Sequence, residues 1–434
     1  MTQRIDLLIL NAAQLVTCMG DDCPRRRGAM DELHIVEDGA VAVSDGLIVD
    51  VGPSARLRAA YRAGQEIDAS DRAVIPGLVD PHTHVVFGGD RADEFELRIR
   101  GASYMEIMAA GGGIRSTVAR TRAATEAELI AAARRRLDEM LACGTTTVEI
   151  KSGYGLDTAT ELKMLRVIEE LDRIHPCTLI PTFLGAHTLP PEYAEDGAGY
   201  VDLMIEEMIP AVAAWYAASR FAAGGRPFFI DAFCEEHAFD VGQSRRILAA
   251  GKAAGMTPKL HADQFNALGG VEMAVGLGAV SVDHLEVSGT AEIALLAQSD
   301  TLAVPLPAAN FNLGECRFAP ARELVDAGAA LALATDLNPG SAPCFSMALV
   351  MAIACRYQRL LPGEALLAAT INAAHAVNMA ATVGSIEAGK QADLLILKAS
   401  DYRHVAYFLG GNPVELVIKA GSVIRADRGL KRNS

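Results

Sequence analysis

Several things are missing from this chain, and each absence closes a class of function. Its eight cysteines, Cys18, Cys23, Cys143, Cys177, Cys234, Cys316, Cys344 and Cys355, form no Cys-x-x-Cys pair. A disulfide framework belongs to short secreted chains, so reduced, mostly buried thiols are expected. No basic leader runs into a sustained apolar stretch, and the apolar run Met347 to Cys355 is too short to cross a bilayer. The expectation is a soluble, cytoplasmic protein with no membrane partner. Positive charge is scarce too, with 39 Lys and Arg against 54 Asp and Glu and a formal net charge of -15. That balance argues against a general nucleic-acid binder, and an anionic substrate would need a local cationic pocket. Low-complexity tracts and short-period repeats are also missing.

What is present is enough apolar residue, 51% of 434, to bury one large domain and a smaller one. The most informative stretch is Val74-Ile75-Pro76-Gly77-Leu78-Val79-Asp80-Pro81-His82-Thr83-His84. It reads as a buried strand that ends in two histidines one residue apart, and strand side chains alternate faces, so His82 and His84 point the same way. Two neutral imidazoles at a strand end make half of a shell for zinc or iron. The competing reading is two unrelated polar residues at a strand terminus.

Downstream, short apolar strands alternate with helical stretches, the pattern of parallel β-α units. After the first strand come Thr145 to Ile150, Thr178 to Leu184, Phe228 to Phe233, Pro258 to His261, Ala279 to Val282, Thr301 to Pro305 and Leu331 to Thr335. A capping box Thr125-x-x-Glu128 starts one helix, and Glu161 to Leu171 reads as another. Eight such units close most economically into a (β/α)8 barrel, with its active site at the C-terminal strand ends. There the polar residues fall: His82 and His84 after strand one, Tyr154 after two, His187 after three, His261 at five, His284 at six and Asp336 at eight. An open doubly wound sheet is the structural alternative, but it would not bring the first and eighth strands together. The flanks, 1–73 and 383–434, carry short β-like runs with Gly and Pro turns and are expected to join as one small β-sandwich beside a barrel spanning 74–382.

His-x-His after strand one, histidines after strands five and six and aspartate after strand eight resemble the amidohydrolase superfamily. Within it, Phe87-Gly88-Gly89-Asp90-Arg91-Ala92-Asp93-Glu94, Glu149-Ile150-Lys151-Ser152-Gly153-Tyr154-Gly155-Leu156, Phe183-Leu184-Gly185-Ala186-His187, Leu260-His261-Ala262-Asp263-Gln264, Asp283-His284-Leu285-Glu286 and Ala334-Thr335-Asp336-Leu337-Asn338-Pro339-Gly340-Ser341 resemble the imidazolonepropionase family. The closing Gly384-to-Leu394 motif belongs to the superfamily at large. The family resemblance implies a hydrolase that opens the imidazolone ring of 4-imidazolone-5-propanoate to give N-formimidoyl-L-glutamate in histidine breakdown. A bound transition metal, zinc or iron, would activate water and polarise the ring carbonyl. His82, His84, His261 and Asp336 are the expected ligands. Asp336 also fits as acceptor of the water proton.

Arg91 could hold the propionate in a bidentate pair. Tyr104, Tyr154 and His187 are further substrate-binding candidates, with buried rings bonded to backbone as the alternative. Asn338, Gly340 and Ser341 could offer an amide, backbone groups and a hydroxyl, although Asn-Pro-Gly can simply be a turn. Some members of the family carry glutamate three residues after the strand-five histidine, where this chain has Gln264. An amide cannot take a proton at neutral pH, so Gln264 is expected to orient the ring while Asp336 acts as base and His284 stabilises the oxyanion. His34, His175, His237, His375 and His404 are read as structural. Some amidohydrolases bridge two metals through a modified lysine or a fourth-strand carboxylate. Lys151 follows the second strand instead, and Glu235 is expected to hydrogen-bond locally beside a single metal. Gly111-Gly112-Gly113 reads as a flexible loop at the pocket rather than a phosphate cradle. The rival functions are a heterocycle deaminase, against which the Arg91 loop and Tyr154 segment argue, and an inactive binding scaffold, against which the complete ligand set argues. Oligomeric state is left open, a homodimer included.

Overall fold

The structure is a computed structural model, and it describes residues 2–102 and 112–426. Tyr104 and Gly111 lie outside the described residues. Five strands come from the first segment: β1 (Gln3–Val16), β2 (Ile35–Ser44), β3 (Leu47–Pro53), β4 (Tyr61–Asp68) and β5 (Ala73–Pro76). Period-two burial along β1 sends Leu7 and Ile9 into one apolar cluster and Leu8 and Leu10 into another, the latter covered by Leu57 of the helix Ser54–Ala60.

The long run from 73 to 80 is not one strand. It breaks at Gly77, after which β6 (Leu78–Asp80) starts a second sheet. A Cβ at Gly77 would lie 2.3 Å from Thr146 Oγ1, so only glycine lets the chain cross here. The second sheet continues through β7 (Thr145–Lys151), β8 (Thr178–Ala186), β9 (Phe229–Cys234), β10 (Thr257–Ala262), β11 (Ser281–His284) and β12 (Leu302–Val304), all parallel and in sequential order. Helices cover it. Glu126–Ala142 has the expected capping box, and Thr158–Ile174, capped by Asp157, extends beyond the expected 161–171 at both ends. All seven residues of β7 and all nine of β8 are buried, as a parallel sheet covered on both faces requires.

The expected eighth strand is the main departure. Segment 331–337 makes only isolated parallel bridges, Ala303↔Leu331 on one side and Thr83↔Leu337 on the other. Its donors are diverted: Leu333 N–H goes to Ala368 O, and Thr335 N–H to the Asp80 carboxylate. A ladder cannot form where a helix carbonyl and a side chain have taken its bonds.

The chain returns to the first sheet with β13 (Leu394–Leu397), β14 (Val414–Lys419) and β15 (Ser422–Ala426). β13 is antiparallel to β5, which gives the order β15-β14-β13-β5-β1-β2-β3 with β4 beside β1. Both ends of the chain thus build one β unit, as expected. It is a single branched sheet rather than two facing ones, because the 14-residue β1 shifts register between Ile9 and Ala12, with Asn11 at φ 61, and passes from β4 to β5. No helix among the described residues is long and apolar enough to cross a membrane.

Candidate metal centre

The C-terminal ends of the parallel strands converge on four histidines and one aspartate. His82 and His84 follow β6, His261 lies in β10, His284 ends β11, and Asp336 lies near the end of segment 331–337. All five are buried. Potential ligand atoms of His82, His84 and His261 lie within 4.8 Å of one another, as do those of His82, His284 and Asp336. Asp336 Oδ1 is 3.6 Å from His82 Nε2 and 3.5 Å from His84 Nε2. The ends are backbone-pinned, since Asp336 N–H donates to His82 O and His84 N–H to Leu337 O.

The donor set fits a metal ion. His82 Nε2 and His261 Nε2 are buried with no hydrogen-bond partner, which is costly unless an ion takes the lone pair. Burial pushes the His82 and His84 imidazoles well below their ordinary range, helped at His82 by the Lys151 charge and at His84 by His187, so both are neutral donors. Burial also raises the Asp336 carboxyl, against the pull of His284. At His284 burial opposes protonation, but the adjoining Glu286 and Asp336 reverse it and raise its pKa. His284 Nδ1 is 3.4 Å from Glu286 Oε1.

Around this cluster, His187 stacks on His84 with ring centroids 5.0 Å apart, and its Nδ1 is 3.0 Å from Gly153 O. Burial lowers the His187 pKa to about 3. The Tyr154 ring is 5.3 Å from His187 and 5.8 Å from His84. The buried carboxylate of Glu161 accepts from the N–H groups of Gly153, Gly155 and Leu156 and so clamps the turn that carries Tyr154. Arg91 Nε donates to Thr117 Oγ1 at 2.9 Å. Its guanidinium acts electrostatically on both Tyr154 and His187.

Asn338 is spent on its own turn: its Oδ1 accepts from Gly340 and Ser341 N–H, and its Nδ2 donates to Asp336 O and Ser341 Oγ. Ser341 Oγ in turn lies 3.3 Å from Asp336 Oδ2. Gly340 matters for what it lacks, since a Cβ there would sit 2.4 Å from Arg91 Nη1. Gln264 is half-buried and has no hydrogen-bond partner among the described residues. Glu235 bonds locally as expected, to the N–H groups of Phe265 and Asn266 and to the Asn266 side chain.

Sequence reasoning assigned no role to the layer beneath the cluster. Asp283 Oδ2 is 2.5 Å from His82 Nδ1, and Asp231 Oδ2 is 3.0 Å from His261 Nδ1. Lys151, read earlier only as a metal-bridging candidate set aside, lies between these carboxylates and Glu149. The signal was present: Glu149, Lys151, Asp231 and Lys259 are charges set inside apolar strands.

The chain is similar to known proteins over nearly its whole length. Residues 237–424 match the amidohydrolase family, and residues 39–63 match a bacterial imidazolonepropionase-like composite domain. An imidazolonepropionase of Chloroflexus aggregans is 55% identical over 419 residues, 96% of this chain and 98% of that one. Its counterpart from Herpetosiphon aurantiacus is 53% identical over 98% of both chains, and that of Symbiobacterium thermophilum is 48% identical over 99% of both. Among solved structures, a zinc-bound adenosine deaminase of Xanthomonas campestris superposes with TM-score 0.71 at 22% identity, covering 99% of this chain and 95% of that one. Guanine deaminase of E. coli superposes with TM-score 0.67 at 14% identity, covering 96% and 99%. These last two likenesses show the shared fold alone.

Proposed function

We propose a mechanism from the premise that this chain belongs to the imidazolonepropionase family of the amidohydrolases. It is a hydrolase that opens the imidazolone ring of 4-imidazolone-5-propanoate to N-formimidoyl-L-glutamate in histidine degradation. The observation that carries the mechanism is the clustering of His82, His84 and His261, with Asp336 beside His82 and His84 and with the Nε2 atoms of His82 and His261 buried and without a hydrogen-bond partner. His82, His84, His261 and Asp336 would hold zinc or iron, since three nitrogens and one carboxylate oxygen suit either. When bound, the metal supplies a water of lowered pKa and a Lewis acid for the ring carbonyl.

The rest falls to the chain's own side chains. Arg91 binds the propionate, the local cation that an acidic protein needs for an anionic substrate. The Tyr154 phenol and the neutral His187 orient the ring from one wall, and Gln264 orients it from the other. Asp336 takes the proton of the attacking water at Oδ2, the oxygen beside Ser341. His284, favoured in its charged form by Glu286, stabilises the carbonyl oxygen as negative charge develops there and then gives its own proton to the departing ring nitrogen, the proton held by Asp336 restoring the imidazolium.

The two bridges of segment 331–337 support a closed (β/α)8 barrel as the full architecture, with the β domain running through β5 to Pro76, past the expected boundary at 73, and resuming in 383–434. A cytoplasmic setting would keep the cysteines reduced.

Two measurements test this reading. Ultraviolet-monitored loss of freshly prepared imidazolonepropionate, with the product identified by mass spectrometry, tests the reaction. Elemental analysis tests the ligand set: the protein should carry about one transition metal per chain, as a single site requires, and His84→Ala should lose most of it. Equal content in both proteins would remove His84 from the site.

A further inference from the structure

Beneath the metal centre the barrel interior holds a second layer of charge that the mechanism does not use. Lys151 Nζ, fully buried, lies 2.8 Å from Glu149 Oε1, 2.8 Å from Asp231 Oδ2 and 3.7 Å from Asp283 Oδ2. The same Asp231 oxygen is 3.0 Å from His261 Nδ1, a charge contact outside hydrogen-bond alignment, and the same Asp283 oxygen is hydrogen-bonded to His82 Nδ1 at 2.5 Å. A single ammonium therefore stands behind two histidines that come from different strands.

We propose that Lys151 is a positioning residue for the metal centre: by holding Asp283 and Asp231 in place it fixes the Nδ1–H form of His82 through a hydrogen bond and favours the same form of His261 through the close Asp231 charge, which leaves both Nε2 atoms free to bind the ion. The chemistry is general, because a metal-binding imidazole is oriented by a carboxylate on its other nitrogen and loses affinity when that partner moves. Here the two partners share one anchor. Burial works against the Lys151 charge, and Asp231, Glu149 and Asp283 more than reverse it, so the ammonium persists at every physiological pH. Its remaining neighbours are fixed as well. The Thr182 hydroxyl donates to Glu149 Oε1, and Lys259 Nζ bonds the carbonyls of Pro81 and Ala376 at 3.2 Å. Lys151 cannot itself bridge metals, because its nitrogen is occupied by carboxylates.

This inference rests on His82 and His261 being ligands, so that point is tested separately. Metal-free wild type, H82A, H261A and K151M are prepared by chelator dialysis and titrated with Zn2+ against a competing chelator. Each protein is also loaded with Co2+ and its visible spectrum recorded. If H82A and H261A bind Zn2+ like wild type, the ligand set itself is wrong. With the ligand set upheld, K151M should bind Zn2+ about 10- to 100-fold more weakly and give a displaced Co2+ spectrum. A barrel-stabilising role would lower the melting temperature of the metal-free protein and leave both readouts unchanged. K151M deletes one member of a buried ion cluster and can fail to fold. K151Q then takes its place with the same expectation, since glutamine is one atom shorter and uncharged and cannot hold both carboxylates. Wild-type affinity and spectrum in whichever variant folds overturn the proposal. Failure of both to fold assigns Lys151 to stability and overturns it as well.

Discussion

Gly340 lies against the Arg91 guanidinium, so close that a methyl group on its Cα would come within 2.4 Å of Nη1. The glycine and the arginine are 249 positions apart, in the loops after the first strand and the eighth segment. One supplies the cation and the other the room for it.

Gly340→Ala should therefore act on binding rather than folding. The atom that must move is the far end of a flexible side chain, which shifts cheaply for stability but loses its aim at a carboxylate. Arg91→Lys keeps the charge and loses the fork. Both variants should raise KM for the propionate substrate with little change in kcat. The kcat/KM loss should be about 10- to 100-fold, the scale of a charge-assisted hydrogen bond worth roughly 1.5 to 3 kcal/mol. Unchanged steady-state kinetics in Arg91→Lys would take Arg91 out of the site.

The proposed division of labour is tested by three variants assayed after metal content has been equalised. Asp336→Ala and His284→Ala should lower kcat by at least ~100-fold, the usual cost of a lost acid-base or electrostatic group. Gln264→Ala should mainly raise KM. A Gln264→Ala enzyme as inactive as Asp336→Ala, beside a His284→Ala enzyme of near-normal turnover, would reverse the assignments.

His375 gives a pH signature remote from the metal. Burial, with Lys390 and Arg25 adding to it, pushes its imidazole down to about 4, and its buried Nε2 has no hydrogen-bond partner. Between that value and the ordinary histidine range the unfolded chain binds the proton more readily, so stability is present above the unfolded pKa and falls as pH drops toward 4. Urea midpoints taken at about pH 7 and about pH 5 should fall more in wild type than in His375→Asn. Equal falls in the two proteins would show that His375 does not contribute.

Where the site would be, and which side chains would line it, could be read from the sequence because strand ends are marked by polar residues after apolar runs. His82, His84, His261, His284 and Asp336 all follow that rule and all converge. The layer below them could not be read the same way. Asp231 and Asp283 are single charges in apolar strands, and which charge neutralises which depends on how neighbouring strands align, as in the pairing of His261 with Asp283. Local pattern does not carry that alignment. The eighth strand failed for a related reason: Leu331 to Thr335 has the composition of a ladder, but Ala368 O and the Asp80 carboxylate claim its donors. From the sequence Asn338 can serve either the substrate or its own turn, and its side chain completes the turn.

The crossing at Gly77 has a consequence in time. Its N–H donates to Asp393 O, and Leu394 pairs with Pro76, so the backbone leading directly to His82 and His84 is braced by a strand from far down the chain. On the ribosome β5 emerges more than three hundred residues before its outer neighbour β13. The stem of the His-x-His pair thus remains one-sided until β13 has been made, so the site's backbone support depends on a strand that follows every parallel strand in the chain.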